Sequence, residues 1–173
     1  MPEADEAVPW LDDAQLYDWM STFGLMTSLA TALDAQLKRD AGLNLFEYHV
    51  LVRLADAPGH GLPMTDLALV AQGSPSRLSH AVARLEAAGW VERHACATAG
   101  RRTAAQLTPA GLAKLEEAAP GHVREVRRLV IDVLSPEQLT ALGDAARSVI
   151  GAIDPELAET IERRGRRERD ARS

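Results

Sequence analysis

A run of serine, histidine and arginine between positions 74 and 84 is the stretch of this sequence best suited to binding a polyanion. The order Ser-Pro-Ser-Arg at its start predicts a helix, because serine is a preferred N-cap and proline a preferred first helical residue. At about 100° per residue, the polar side chains fall on one face and the aliphatic ones on the opposite face. The polar face, which includes no acid, consists of Ser76, Arg77, His80 and Arg84. The apolar face consists of Leu78, Val82 and Leu85.

These residue types suit a DNA groove. Arginine donates two hydrogen bonds to guanine O6 and N7, and serine exchanges one with a base or a phosphate. The free amides at the start of the helix also suit a phosphate. The sequence therefore predicts a DNA-recognition helix, and the alternative is a solvated amphipathic helix that binds nothing.

A second basic feature follows at Arg101 and Arg102, next to Gly100 at the tip of a predicted hairpin. Paired arginines on such a loop suit a narrow minor groove, where the negative potential is enhanced. The alternative is a loop that its charge keeps soluble. The position directly after the candidate recognition helix favours the first interpretation.

The distribution of charge matters more here than its total. The formal net charge is −6, and residues 1–20 contain six acids and no lysine or arginine. Residues 73–107 contain five arginines against two acids, and residues 162–173 contain six arginines against three. Since local patches decide contact with phosphates, an acidic total does not exclude DNA. The Arg-rich end is either a second basic patch or a short solvated tail.

Several classes of protein are disfavoured by what the sequence lacks. A single cysteine, Cys96, excludes an intrachain disulfide, and no apolar run approaches the length of a membrane span. The N-terminus does not read as a signal peptide, so a cytoplasmic protein is expected. The five histidines are scattered, which predicts no metal site, and no motif indicates a cofactor or an enzyme.

The predicted elements place these residues in a mainly α-helical fold with a small β-hairpin wing. Helices are predicted over about 12–39, 45–56, 64–71, 74–88, 109–134 and from 136, with strands over 90–96 and 103–107. A kink or break is expected at Pro120-Gly121 in the fifth helix. The predicted division is an acidic arm 1–11, dimerisation helices 12–43 and 109–160, a winged helix-turn-helix 44–108 and an Arg-rich tail 161–173. The long flanking helices suggest an interlocked dimer.

Three runs of sequence resemble the multiple-antibiotic-resistance regulator (MarR) family. They are SPSRLSHAVARLEAAGWVER over 74–93, GRR over 100–102 and QLTPAG over 106–111. The segments FEYHVL over 46–51 and MTDLA over 64–68 are also similar. The resemblance is densest over about 44–112.

The resemblance implies a homodimeric transcription regulator, usually a repressor, that binds pseudo-palindromic double-stranded DNA and is released by a small aromatic ligand. The recognition-helix contacts match Ser74, Ser76, Arg77, Ser79, His80 and Arg84. Arg101 matches the wing arginine of an Asp-x-Arg motif, and the aspartate of that motif is replaced by Ala99 here. Arg102 is expected to substitute as the wing arginine. The alternative function is a winged-helix module that docks a protein and does not read DNA sequence.

By the same resemblance, the effector pocket lies where the first, second and fifth helices meet the winged helix. Its candidate lining residues are Trp19, Phe23, Tyr48 and His49. The alternative is that these aromatic side chains belong to the core or to a dimer interface, which is the commoner use of aromatics at helical spacing. Cys96 on the wing strand is either a passive thiol or a redox sensor, and the first interpretation is favoured.

Overall fold

The computed structural model describes residues 8–71, 73–95 and 103–170, and within the last range the side chains of 164 and 167–170 are not described. The described residues form seven α-helices and three β-strands. The helices are α1 (Asp13–Ala41), α2 (Leu45–Asp56), α3 (Met64–Ala71), α4 (Pro75–Ala87), α5 (Pro109–Val126), α6 (Pro136–Ile153) and α7 (Pro155–Asp170). The strands are β1 (Gly61–Pro63), β2 (Val91–Ala95) and β3 (Thr103–Leu107).

Short polar side chains begin helices α1, α2, α4, α5 and α6. Each accepts a hydrogen bond from the backbone N–H three residues further on, which satisfies one of the free donors of the first turn. These N-cap residues are Asp12, Asn44, Ser74, Thr108 and Ser135. Three of these caps are capping boxes, in which the side chain at the third helical position reaches back to the N-cap: Asp12 with Gln15, Asn44 with Glu47 and Ser135 with Gln138.

The sheet has three antiparallel strands in the order β1-β3-β2, whereas the sequence predicts a two-stranded hairpin. The hairpin pairs Val91 with Leu107 and Ala95 with Thr103. The missed strand β1 lies on the other edge of β3, where Leu62 pairs with Ala105. Pro63 has no N–H to donate, which restricts such a segment to a sheet edge.

The core lies within the winged helix-turn-helix. Its fully buried large apolar side chains come from the end of α1 and the loop after it, from α2, α3 and α4, and from β2: Leu37, Leu43, Val50, Leu51, Leu54, Leu67, Leu78, Val82, Leu85 and Val91. By contrast, the first two turns of α1 and the whole of α6 bury no residue in this chain. The core therefore holds α4 and the sheet rigidly, and the terminal helices project from it.

Of the kink or break expected at Pro120, the break is not found, since α5 continues through the proline to Val126. Ala118 and His122 are buried on either side of the proline, so packing offsets the hydrogen bond that proline cannot make. The irregularity lies further on, where the chain forms a π-helical turn over Arg127–Ile131.

The Arg-rich segment forms a helix as far as Asp170. Asp154 accepts a hydrogen bond from Leu157 N at 3.0 Å and so begins α7. Ion pairs one turn apart, such as Arg166 with Glu162 at 3.1 Å, follow its surface. Among the described residues, no helix is long and apolar enough to cross a bilayer.

Candidate DNA-binding surface

Helix α4 separates a buried aliphatic face from an exposed polar face, as the helical wheel predicts. Leu78, Val82 and Leu85 are at most 1% exposed. All six predicted contact residues of the helix and its cap are exposed: Ser74, Ser76, Arg77, Ser79, His80 and Arg84. The Ser74 hydroxyl also serves as the cap, since it accepts a hydrogen bond from Arg77 N at 3.2 Å. The surface therefore presents hydroxyl, imidazole and guanidinium groups with no acid of α4 among them.

Arg84 is paired with an acid from another element. Its Nε lies 3.0 Å from Oε1 of Glu47 in the first turn of α2. Glu47 is 2% exposed, whereas the Arg84 side chain is 67% exposed. The sequence analysis missed this partner, although the Asn44-x-x-Glu47 spacing of a capping box was visible.

Arg77 is also held by α2. Its guanidinium lies over the ring of Phe46, 4.3 Å from the centroid, which is a cation–π contact. The Phe46 ring packs against Gly73, where an added Cβ would lie 2.4 Å from the ring. A larger residue at position 73 would overlap the Phe46 ring, so close packing explains this glycine. Two consecutive residues of α2, Phe46 and Glu47, thus contact the two arginines of α4.

A cleft of about 600 Å³ separates α4 from α1, and Phe46, Glu47, Arg77 and Arg84 are among its lining residues. On its α1 side, Asp34 forms an ion pair with Lys38 at 2.7 Å and accepts a hydrogen bond from Leu45 N. The Lys38 ammonium and this N–H lower the pKa of Asp34. The carboxylate of Asp34 is thereby already engaged within the protein.

Arg93, which the charge count of residues 73–107 included, is neutralised by Glu86. Its Nη2 lies 2.8 Å from Glu86 Oε2, and its backbone N–H donates to Oε1 at 3.2 Å. This pair links the end of α4 to β2 and stiffens the base of the wing. The positive charge left for DNA therefore belongs to fewer arginines than the sequence count suggests.

The tip of the wing lies outside the described residues, and with it Arg101, Arg102, Ala99 and Cys96. The base of the wing, which the structure does describe, is hydrogen-bonded to the turn Pro58–His60 that precedes β1. Gln106 of β3 donates to Gly59 O at 2.6 Å, and its Oε1 lies 3.3 Å from His94 Nε2 on β2. This cross-strand contact holds β2, β3 and the 3-10 turn Pro58–His60 together.

The junction between the wing and α5 depends on a close approach of two backbones. Thr108 N–H donates to Trp90 O at 3.1 Å, and its hydroxyl donates to Gly89 O at 2.8 Å. A Cβ at Gly111 would lie 2.0 Å from Trp90 O, so only glycine fits there. This junction sets where the wing leaves the domain relative to α4.

The four predicted pocket residues form two separate groups within one chain. Trp19 and Phe23 contact each other on α1, with ring centroids 5.9 Å apart, and both are more than half exposed. Tyr48 is buried against His122 of α5, with centroids 4.5 Å apart, and His49 lies beside it. Thirteen residues of helix, about 20 Å, separate Phe23 from Gln36, which contacts His122. One chain therefore does not bring all four residues into a single cavity.

The group around Tyr48 includes two histidines with altered titration. Burial raises the pKa of the Tyr48 phenol and lowers the pKa of His122. His122 Nδ1 lies 3.4 Å from Gln36 Oε1, and Gln36 in turn donates to Asp40. Burial, with His122 and Arg53 nearby, also lowers the pKa of His49, although much of that residue is exposed. Both histidines therefore favour their neutral form near neutral pH.

The helix-turn-helix, the antiparallel wing and the projecting terminal helices define a winged-helix protein of the type found in transcription regulators. Comparisons with known proteins identify the family. The MarR family model matches residues 41–102. The chain is similar to Sco3205, a MarR family transcriptional regulator from Streptomyces coelicolor whose crystal structure is in complex with DNA. They share 45% identity and a TM-score of 0.81 over 84% of this chain and 95% of that chain.

A second similar structure is AbsC, another MarR family transcriptional regulator from Streptomyces coelicolor, with 36% identity and a TM-score of 0.78 over 83% of this chain and 97% of that one. No curated protein sequence matches the chain significantly. Because the similarity to Sco3205 spans most of both chains, the chain belongs to the MarR family. The resemblance inferred from residues 44–112 is thereby confirmed.

Proposed function

We propose that this protein is a sequence-specific double-stranded DNA-binding transcription repressor. The observation that carries the proposal is the exposed Ser/His/Arg face of α4, backed by a core that holds the helix rigidly. Support comes from Sco3205, a 45% identical family member whose structure contains DNA. A surface of this kind speaks against a protein-docking module, for which an apolar or acidic face of α4 would be expected.

We further propose that the regulator acts as a homodimer. Large apolar side chains are exposed along the first turns of α1 and along the segment from the π-helical turn to the end of α6. They include Leu16, Tyr17, Trp19, Met20, Phe23, Met26, Val133, Leu142, Val149 and Ile153. Monomeric proteins rarely leave so much apolar surface in water, so a second copy is the natural cover. A two-fold dimer would read a pseudo-palindromic operator.

Repression would follow from the dimer occupying the operator in the cytoplasm, with release by a small aromatic ligand. Two features support a ligand between helices: the partly polar group around Tyr48 and His122, and the exposed pair Trp19 and Phe23. In a dimer, α1 of one chain would need to bring Trp19 and Phe23 towards such a ligand pocket. Trp19, Phe23, Tyr48 and His49 are therefore proposed as pocket residues of the assembled dimer.

The test of DNA reading is selection from random duplexes by the purified protein, followed by sequencing. An enriched inverted repeat, with half-sites about one helical turn (10–10.5 base pairs) apart, is the expected result. No enrichment at low salt would contradict the proposal and favour the docking module. The selected site then supplies the cognate duplex for every measurement below.

Arg77→Ala is expected to weaken binding to the cognate duplex more than to a random one, by about 1–3 kcal/mol if Arg77 contacts a base. Titration of both duplexes measures the difference, and equal losses would reduce Arg77 to a phosphate contact.

Replacing Arg101 and Arg102 together is expected to lower the slope of log affinity against log salt. An unchanged slope would remove the wing from the proposed interface.

A further inference from the structure

Glu47 carries a buried charge that its local role does not require. It is the third residue of α2, where its Oε2 accepts a hydrogen bond from Asn44 N at 2.9 Å and completes a capping box. Burying a carboxylate is costly unless an opposite charge compensates it. Its other oxygen, Oε1, has no hydrogen-bond partner among the described residues and lies 3.0 Å from Arg84 Nε.

The same chain shows that this capping role needs no charge. At α1 and α6 the equivalent position is glutamine, Gln15 and Gln138, and both close the same reciprocal capping box. A glutamine at position 47 would therefore cap α2 equally well and would avoid the cost of burying a charge. What the carboxylate adds is its attraction for Arg84.

We propose that Glu47 is a positioning residue that orients Arg84 for base recognition, an inference that rests on the proposed DNA-binding function. The contact involves Nε, so the four N–H bonds of the Nη groups remain for a partner. Two-thirds of the Arg84 side chain is exposed, which gives a base edge access to it. A guanidinium that is already held at one nitrogen loses less conformational entropy when it binds than a free one does.

The charge on Glu47 favours recognition of the correct site but weakens non-specific binding. A carboxylate beside α4 partly cancels the attraction of Arg84 for phosphates at any sequence. Glu47 therefore raises the preference for the correct site and leaves general affinity no higher. A residue that only stabilised the fold would not change the ratio of cognate to random affinity through Arg84.

The experiment is a double-mutant cycle with Glu47→Gln, Arg84→Ala and the double variant, each titrated on the cognate and a random duplex. Glutamine retains an oxygen to accept from Asn44 N, so α2 stays capped, and thermal unfolding checks the fold. The ratio of cognate to random affinity is expected to fall at least about fivefold in Glu47→Gln, the lower end of what one good bidentate arginine–base contact contributes. In the Arg84→Ala background, Glu47→Gln is expected to change the ratio no further. An unchanged ratio, or an equal fall in both backgrounds, would overturn the inference.

Glu92→Gln is the matched control, because it removes one negative charge from the exposed surface of β2. It is expected to shift both affinities together, and a fall in the ratio as large as that of Glu47→Gln would contradict positioning.

A measurement without DNA separates this inference from the function on which it rests. The order parameter of the Arg84 Nε–H bond from ¹⁵N relaxation is expected to be higher in the wild type than in Glu47→Gln, because the carboxylate 3.0 Å away restrains the guanidinium. If the wild type selects no DNA sequence, the proposed function fails, yet this signal still shows whether Glu47 holds Arg84. Identical Arg84 signals in both proteins would overturn the positioning.

Discussion

At the scale of single residues, the arginines of α4 show what a sequence pattern reveals and what it leaves out. The helical wheel places Arg77 and Arg84 on the exposed face, and the structure agrees. It could not show that Phe46 and Glu47 hold them, because contacts between residues so far apart in the sequence depend on tertiary packing. Counting charge along the sequence likewise overstates the basic patch, since pairs formed in space neutralise part of it.

At the same scale, the lowered pKa of His122 predicts that the protein becomes less stable as the pH falls. Burial lowers its pKa from the ordinary 6.5, so near pH 6 the unfolded chain binds more protons than the folded one. The contribution of His122 to the free energy of unfolding is therefore fully present above pH 6.5 and decreases as the pH falls towards the folded pKa. Each unit of pKa difference contributes about 1.4 kcal/mol. Asp40, whose pKa the Gln36 hydrogen bond lowers from 3.8, titrates below this range.

Urea denaturation at several pH values between about 7.5 and 5.5, which bracket the ordinary histidine pKa, measures this dependence. His122→Gln is expected to reduce the slope, and the part that remains belongs to His49, whose pKa burial also lowers. A slope in His122→Gln equal to that of the wild type would refute the assignment.

At the scale of elements, capping and proline signals located most helices. The bounds predicted for α2 and α3 agree with the structure, and those of α1 and α4 differ by at most two residues, because their ends carry local stop or cap residues. The elements that were missed lack such signals. Strand β1 has only three residues and exists because β3 pairs with it, and the π-helical turn after α5 has no motif. The expected break at Pro120 failed because packing on both sides outweighed the proline.

The junction of the wing with α5 carries a prediction about elements. Gly111→Ala is expected to destabilise the protein by at least about 2 kcal/mol, because its Cβ would overlap the backbone oxygen of Trp90, which cannot move without shifting the strand. Gly143→Ala in α6 is the control, since its Cβ would meet only the flexible end of Arg147, at 3.3 Å. That change is expected to be neutral or stabilising by up to about 1 kcal/mol. Chemical denaturation compares the two, and equal effects would contradict the close approach.

At the scale of the whole molecule, one chain contains a complete core for its winged helix but an incomplete one for its terminal helices. The core residues of the winged helix are buried within the chain, whereas every residue of α6 is at least partly exposed. Helical periodicity identified α1 as too long for a small single core, which pointed to a partner. The sequence could not show that Trp19 and Phe23 lie far from Tyr48, since that depends on where α1 crosses α2 and α5.

The exposed faces predict that a single charge on α1 will separate the subunits. Met20 is 64% exposed and lies among the apolar side chains proposed to meet a second copy. In a two-fold interface each substitution occurs twice, and Met20→Glu would bury two unpaired carboxylates unless the subunits part. Sedimentation at micromolar concentration is expected to give twice the chain mass for the wild type and a dissociation constant at least about tenfold higher for Met20→Glu, a change of about 1.4 kcal/mol.

Leu69→Glu provides the matched control for that experiment, because Leu69 is 66% exposed but belongs to α3 of the winged helix. It is expected to remain as dimeric as the wild type. A monomeric wild type would remove both the dimer and the expected palindrome, whereas equal dissociation of the two variants would move the interface away from α1. If Met20→Glu alone dissociates, its affinity for a full operator should fall towards that for a single half-site, because the second recognition helix is then no longer tethered beside the first.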